Sequence, residues 1–241
     1  MAMTNDFIKH HILLDRLARG FAKDYEAAFK SIARYIDREI RVNPDFVELA
    51  MLRVEIQRRL DAVTASTINK LEQFAVYEGR FNKRVIEKDT DKKIELPTAE
   101  TLAAITGVAI ATSFTKSSSQ LGTTFNAFAQ KKTDDYMRVV DDAIIQEDTR
   151  AARDAKVSDI SDGMFSTQAK ALLGLGVLAV ASNTLKVVQE ENNIRQVQWL
   201  AILDDHVCPY CQSLNGRVFN IEDLPAHPAH GNCRCSVVPY V

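Results

Sequence analysis

The chain has 241 residues, 46% of them hydrophobic, with 30 basic and 32 acidic side chains and a formal charge of −2. This length and apolar content exclude disorder throughout and suit one large domain or two small ones. The near-neutral balance supplies no global attraction to nucleic acid or anionic lipid, so any such binding has to come from a local patch.

The opening MAMTNDFIKH contains Asp6 and has no basic start followed by an apolar run, which argues against a secretion or import signal. Phe7, His11, Leu14, Ala18, Phe21, Tyr25, Ala28 and Ile32 then recur at steps of four and three, which places them on one helix face. Asn43-Pro44 offers a capping residue with proline at a first helical position, and Phe46, Leu49, Ile56, Leu60, Val63 and Leu71 continue an amphipathic pattern. Two long helices are predicted before residue 80. The stretch Arg80 to Leu96 is charge-dense and ends at Pro97, the composition of an exposed connection or a frayed helix end.

Thr98 restarts a helix whose apolar side holds Leu102, Ile105, Ala109 and Ile110. The following SFTKSSSQLGTTF reads as either a loop or a polar helix surface. Another helical pattern runs near 134–156, and Ser166 is the candidate cap of a small-residue helix that continues to about Glu191. Its apolar run, Ala171 to Ala181, is about half of the ~20 residues that cross a bilayer, so it reads as a buried helix and no membrane anchor is expected. Gly174 and Gly176 lack the third glycine and the preceding strand of a phosphate-binding loop, and close packing explains them better. The pairs Asp134-Asp135 and Asp141-Asp142 read as solvated helix charge.

After residue 198 the composition changes. All four cysteines, three of the five histidines, four of the six prolines and the single tryptophan, Trp199, lie there. VQWLAIL, GRVFNI and CRCSVVPYV read as three strands separated by turn-forming residues. The predicted fold class is therefore mainly α, with long amphipathic helices followed by a small C-terminal zinc-stapled β-rich module. Its segments are helical stretches at 1–96 and 97–194 and the module at 195–241.

A unit of that size buries little apolar surface and needs a staple. Cys208-Pro209-Tyr210-Cys211 has the spacing of a zinc knuckle, and His230, Cys233 and Cys235 supply one imidazole and two further thiolates. Five donors compete for four tetrahedral places, so Cys₄ and Cys₃His both remain open. Zinc ranks ahead of reduced thiols in a metal-free fold and of disulfide or redox chemistry because a cytosolic setting is expected, and a structural zinc ranks ahead of a catalytic one because an abundance of thiolates closes the coordination sphere. Asp204, Asp205 and His206 precede the knuckle and define the rival reading, a metal-dependent hydrolase or nuclease. The structural reading expects no catalytic residue. His227 lies between prolines and reads as a loop residue.

Taken in order, Trp199, Asp204-Asp205, Cys208-Pro209-Tyr210-Cys211, Leu214, Gly216, Val218-Phe219, Pro225, His227-Pro228, His230 and Cys233-Arg234-Cys235 resemble the C-terminal domain of phage Mu F-like head morphogenesis proteins. The resemblance covers about residues 195 to 241. It implies a minor head protein of a tailed bacteriophage, made in the host cytoplasm, placed in the virion head interior and working with the portal and other head proteins. It also leaves room for a homo-oligomer, and some proteins with similar modules are effectors delivered with the virion. Family patterns often read HPxCRC; here glycine follows His230, and the proline follows the extra His227. Spacing favours His230 as the family's histidine. Lysines between Lys83 and Lys93 are the candidate DNA contact, but interleaved acids and missing aromatics favour plain solvated surface.

Overall fold

The structure is a computed structural model that describes residues 2–42, 48–105, 109–110, 119–145, 164–230 and 233–240. Two 41-residue helices come first, α1 (Ala2–Val42) and α2 (Leu49–Asp89). Each contains one glycine and no proline, so nothing in either interior removes a backbone donor. The predicted α1 face is buried at Phe7, His11, Leu14, Ala18, Phe21, Tyr25 and Ile32, and only Ala28 stays half-exposed. The Asn43-Pro44 cap lies outside the described residues.

The reading of Arg80 to Leu96 as an exposed connection or frayed helix end needs correction in its first part. Residues 80–89 complete α2, and Phe81, Val85 and Ile86 extend its buried stripe beneath the charged residues. The true connection, 90–98, is pinned at both sides. Ile94 is fully buried; its carbonyl accepts from Lys83 Nζ at 2.7 Å and its amide donates to Glu87 Oε1 at 2.9 Å. Helix α3 (Ala99–Ala104) then begins as expected at Thr98, whose hydroxyl caps the Thr101 amide at 3.1 Å. Gly79 allows this arrangement, because a Cβ there would stand 2.8 Å from Leu102 Cδ1.

Two-residue strands β1 (Ala109–Ile110) and β2 (Ser119–Gln120) pair antiparallel ahead of α4 (Leu121–Ile145), which starts well before the predicted 134. Ala109 and Ile110 thus leave the helix to which periodicity assigned them, and most of the serine-rich stretch lies outside the described residues, as do residues 146–163. Helix α5 (Met164–Glu191) ends at the expected residue but begins two positions ahead of Ser166. Its Thr167–Glu191 span has the length and hydropathy of a membrane helix, yet 56% of its apolar window is buried inside the protein. Leu173, Val177, Val180 and Leu185 are among the core residues.

The tail carries β3 (Gln196–Leu200), the six-residue α6 (Pro209–Leu214), β4 (Val218–Asn220), a 3₁₀ turn at Ile221–Asp223, and β5 (Ser236–Pro239). The three strands form one antiparallel sheet ordered β4-β3-β5, with Val197 opposite Phe219 and Trp199 opposite Val237.

The chain divides into two compact units. The first joins residues 1–18, 68–122 and 174–241. Its core packs Phe7, Phe81, Val85, Leu185, Trp199, Cys211, Cys235, Val237 and Val238 in one cluster. A smaller cluster groups Ile86, Ile94, Val188 and Ile194. Each such buried side chain is worth roughly 1.5–3 kcal/mol. The second unit joins 19–67 and 123–173 and buries Tyr25, Phe29, Leu60, Phe125 and Tyr136. Tyr25 Oη meets Thr64 Oγ1 at 3.0 Å inside it, which satisfies a phenol that would otherwise be buried unpaired.

Candidate metal centre

The site is built from the two ends of the module. Beyond β3 the chain turns at Asp204, which accepts from the His206 amide at 2.9 Å through its carboxylate and from the Val207 amide at 3.1 Å through its carbonyl. This turn delivers Cys208 as the N-cap of α6 with Pro209 in the first helical turn, a position where proline costs no hydrogen bond. The Cys208 sulfur takes the capping role itself, accepting from the Cys211 amide at 3.3 Å. That bond favours the thiolate and holds the Cys208 pKa below its ordinary value. Gly216, at φ +79°, reverses the chain after α6, and its amide donates to the Trp199 carbonyl at 2.8 Å.

The second half approaches from the loop before β5. His230 Nε2 lies 3.2 Å from the sulfur of Cys208 and 3.2 Å from that of Cys211. Cys211, Cys233 and Cys235 form a second trio, and within each trio the ligand atoms lie within 4.8 Å of one another. Cys211 belongs to both. All five predicted donors are therefore gathered, and the cysteines are free thiols. A tetrahedral zinc with Zn–S near 2.3 Å and Zn–N near 2.0 Å sets its donors roughly 3.5 Å apart, a spacing compatible with these trios. Soft sulfur with one imidazole is also the donor chemistry zinc takes. Burial pushes the Cys211 thiol up to about 12, so a bare thiol at that position keeps its proton, and a cation has to displace it.

His227 stands apart from this set. Its ring is buried edge-on to Trp199, with centroids 5.0 Å apart and planes at 85°. Burial depresses its pKa and keeps it neutral; Nε2 donates to the Cys235 carbonyl at 3.0 Å, and Nδ1 receives the Ser182 hydroxyl from α5. Through these two bonds it ties the backbone of one candidate ligand to a long helix, the kind of outer support that orients a metal site.

The rival hydrolytic residues are placed differently. Asp204 is clamped by the Arg234 guanidinium, one of the two contacts being 2.5 Å, and that pairing holds its carboxyl near 2. Asp205 and His206 are exposed and join no cluster of metal-ligating side chains among the described residues. The lysines proposed for DNA are also engaged: Lys83 with Glu87 at 3.5 Å, Lys88 with Asp6 at 2.6 Å and Lys93 with Glu95 at 3.6 Å.

Beside the module lies a small cavity of about 30 Å³ lined by Phe7, His10, Glu78, Asn82, Ser182, His227 and Cys235, among others. The Asn82 carboxamide is fully buried and has no hydrogen-bond partner at either atom. Sequence reasoning missed Ser182, His10, Glu78 and Asn82. None has a neighbour in the sequence that marks it, since the cavity that they share forms only through tertiary packing.

Compared with known families, the description "Phage Mu protein F like protein" matches residues 66–238. The chain belongs to the phage Mu F-like family. The match reaches well upstream of the cysteine module on which the resemblance rested, taking in the second half of α2 and all of α3, α4 and α5. This is a family of phage head proteins, so membership associates the chain with the head of a phage. No curated protein and no solved structure matches the chain.

Proposed function

We propose that this Mu F-like protein is a minor head protein of a tailed bacteriophage that acts in head morphogenesis without catalysing a reaction. It works inside the head near the portal, contacting the portal and other head proteins through its helical segments 1–96 and 97–194. The module at 195–241 is held in shape by a structural zinc that takes four of Cys208, Cys211, His230, Cys233 and Cys235. The ion's contribution is fold stability, on the order of 10 kcal/mol for sites of this kind. Assembly takes place in the host cytoplasm.

The observation that carries this reading is the family match over residues 66–238, which includes the whole donor cluster. The Asp204–Arg234 clamp speaks for structure over catalysis, because a carboxylate bound by a guanidinium is a poor base or metal ligand. Electron microscopy of particles carrying a labelled copy of the chain tests the assignment. Label beside the portal is the expected result, and particles without the protein count against it. Incubating purified protein with DNA and divalent metals tests the hydrolytic rival; turnover lost in Asp205→Ala would establish it instead.

A further inference from the structure

Each half of the donor cluster is closed by a turn of its own. In the first, the Gln212 amide donates to the Cys208 carbonyl at 3.0 Å, and in the second the Cys233 amide donates to the His230 carbonyl at 3.2 Å. Strands β3 and β5 bring the halves together, but their register ends at the pair Leu200–Ser236. Beyond that pair one segment runs through Asp204 to Cys208, and the other runs back through Cys235 to Cys233. Arg234 reaches across this open end. Its Nη1 donates to Asp204 Oδ2 at 2.5 Å and its Nη2 donates to Oδ1. The contact joins residues 30 positions apart and occupies none of the five donor atoms.

We propose, resting on the structural-zinc reading above, that Asp204 and Arg234 are positioning residues of the metal site: their forked ion pair fixes how the two donor-bearing segments face each other before an ion arrives. A two-point contact between guanidinium and carboxylate sets a plane as well as a distance, which a single hydrogen bond does not. Energy alone is a poor reason for the pair, because its side chains are 37% and 38% exposed and ion pairs of that kind add little to stability. Order is what it supplies. Gathering two separate segments around one cation costs conformational entropy that is subtracted from metal affinity, and a contact that holds them beforehand removes part of that cost. The Asp204 carboxylate also accepts from the His206 amide at 2.9 Å, so the clamp is anchored in the same turn that leads into Cys208.

The test measures zinc affinity of the full chain by competition with a chromogenic chelator. Asp204→Asn keeps an oxygen for the His206 amide while removing the ion pair, and it should weaken zinc binding about 10- to 100-fold, the usual effect of losing an outer support of a metal site. Arg234→Gln should do the same, and the double variant should fall within about twofold of either single one, because one clamp is lost once. Cobalt(II) loaded in place of zinc reports donor geometry. Its visible absorption bands at full loading should differ from wild type in both variants, whereas a part played only in module stability would lower affinity and leave the bands unchanged. Trp199 emission of the zinc-loaded variants should match wild type; a shift to longer wavelength there would show that the pair holds the fold rather than the donors, against the proposal. Equal affinity in Asp204→Asn, losses that multiply in the double variant, or unchanged cobalt bands would each overturn it as well. A wild-type chain that binds neither zinc nor cobalt overturns the metal reading itself, which is a separate and distinguishable failure.

Discussion

The Nε2 atom of His10 lies 2.7 and 2.8 Å from the two carboxylate oxygens of Glu78, and both side chains are buried. Phe81 stacks on the imidazole at a centroid distance of 3.7 Å, so the pair is enclosed on one face by an aromatic ring. Removing one partner leaves the buried polar atoms of the other without their hydrogen bond. Glu78→Leu is expected to cost about 3 kcal/mol in urea unfolding. His10→Leu combined with Glu78→Leu should cost less than the sum of the single changes, because the stranded polar group is then gone.

Metal removal should act on the module while the helices persist. Chelation, or Cys208→Ser and Cys233→Ser, is expected to lower bound zinc by elemental analysis and to shift Trp199 fluorescence to longer wavelength. Trp199 is the sole tryptophan and is fully buried in the cluster that contains Cys211, Cys233 and Cys235. The far-UV helical signal should change little. Full zinc occupancy in both variants would refute the ligand assignment.

The Ser182–His227–Cys235 relay predicts coupling between a helix and a loop 45 positions away. Ser182→Ala should cost about 1 kcal/mol for the lost hydrogen bond, and His227→Ala about 3 kcal/mol, because it also leaves a hole beside Trp199. A double-mutant cycle should return a coupling above about 0.5 kcal/mol. Additive effects would show that the bond contributes nothing.

Stability should also depend on pH through His11. Burial lowers its pKa from 6.5 to about 4 in the folded chain. The unfolded chain binds the extra proton first as pH drops, so this contribution is complete above about 6.5 and is lost progressively down to about 4. The full shift corresponds to about 3 kcal/mol. Measured as the difference between wild type and His11→Gln at matched metal content, the loss should be confined to that window. A flat difference would show that His11 keeps its ordinary affinity for protons.

The sequence made visible whatever rests on periodicity or on rare residues. Phe7 to Ile32 announced α1 because a buried stripe needs apolar side chains every third or fourth position. The five candidate metal donors stood out because cysteine and histidine are scarce and cluster in the tail. Residues 80–89 were misjudged because their charges outnumber the three apolar residues that decide the helix, Phe81, Val85 and Ile86, which face inward. Ala109 and Ile110 fitted a helical period yet lie in a strand, and two residues carry no period of their own. The family's helical portion escaped notice for a related reason, since apolar stripes are common to many folds and carry no distinguishing chemistry. Ser182 and Glu78 were invisible because their partners come from distant parts of the chain.

The first unit takes its opening strand of polypeptide from residues 1–18 and its closing one from 174–241. Phe7 and Val237 share one core cluster with Phe81 and Val85, so α2 can cover part of the α1 face early, but the cluster is complete only when β5 has been made. Until then the side of the cluster that β3 and β5 close is open, and a chaperone or a second chain can occupy it first. For the same reason, an excised module beginning at 195 would lack Phe7, Phe81, Val85 and Leu185, and would have to find substitutes for them even with its metal supplied.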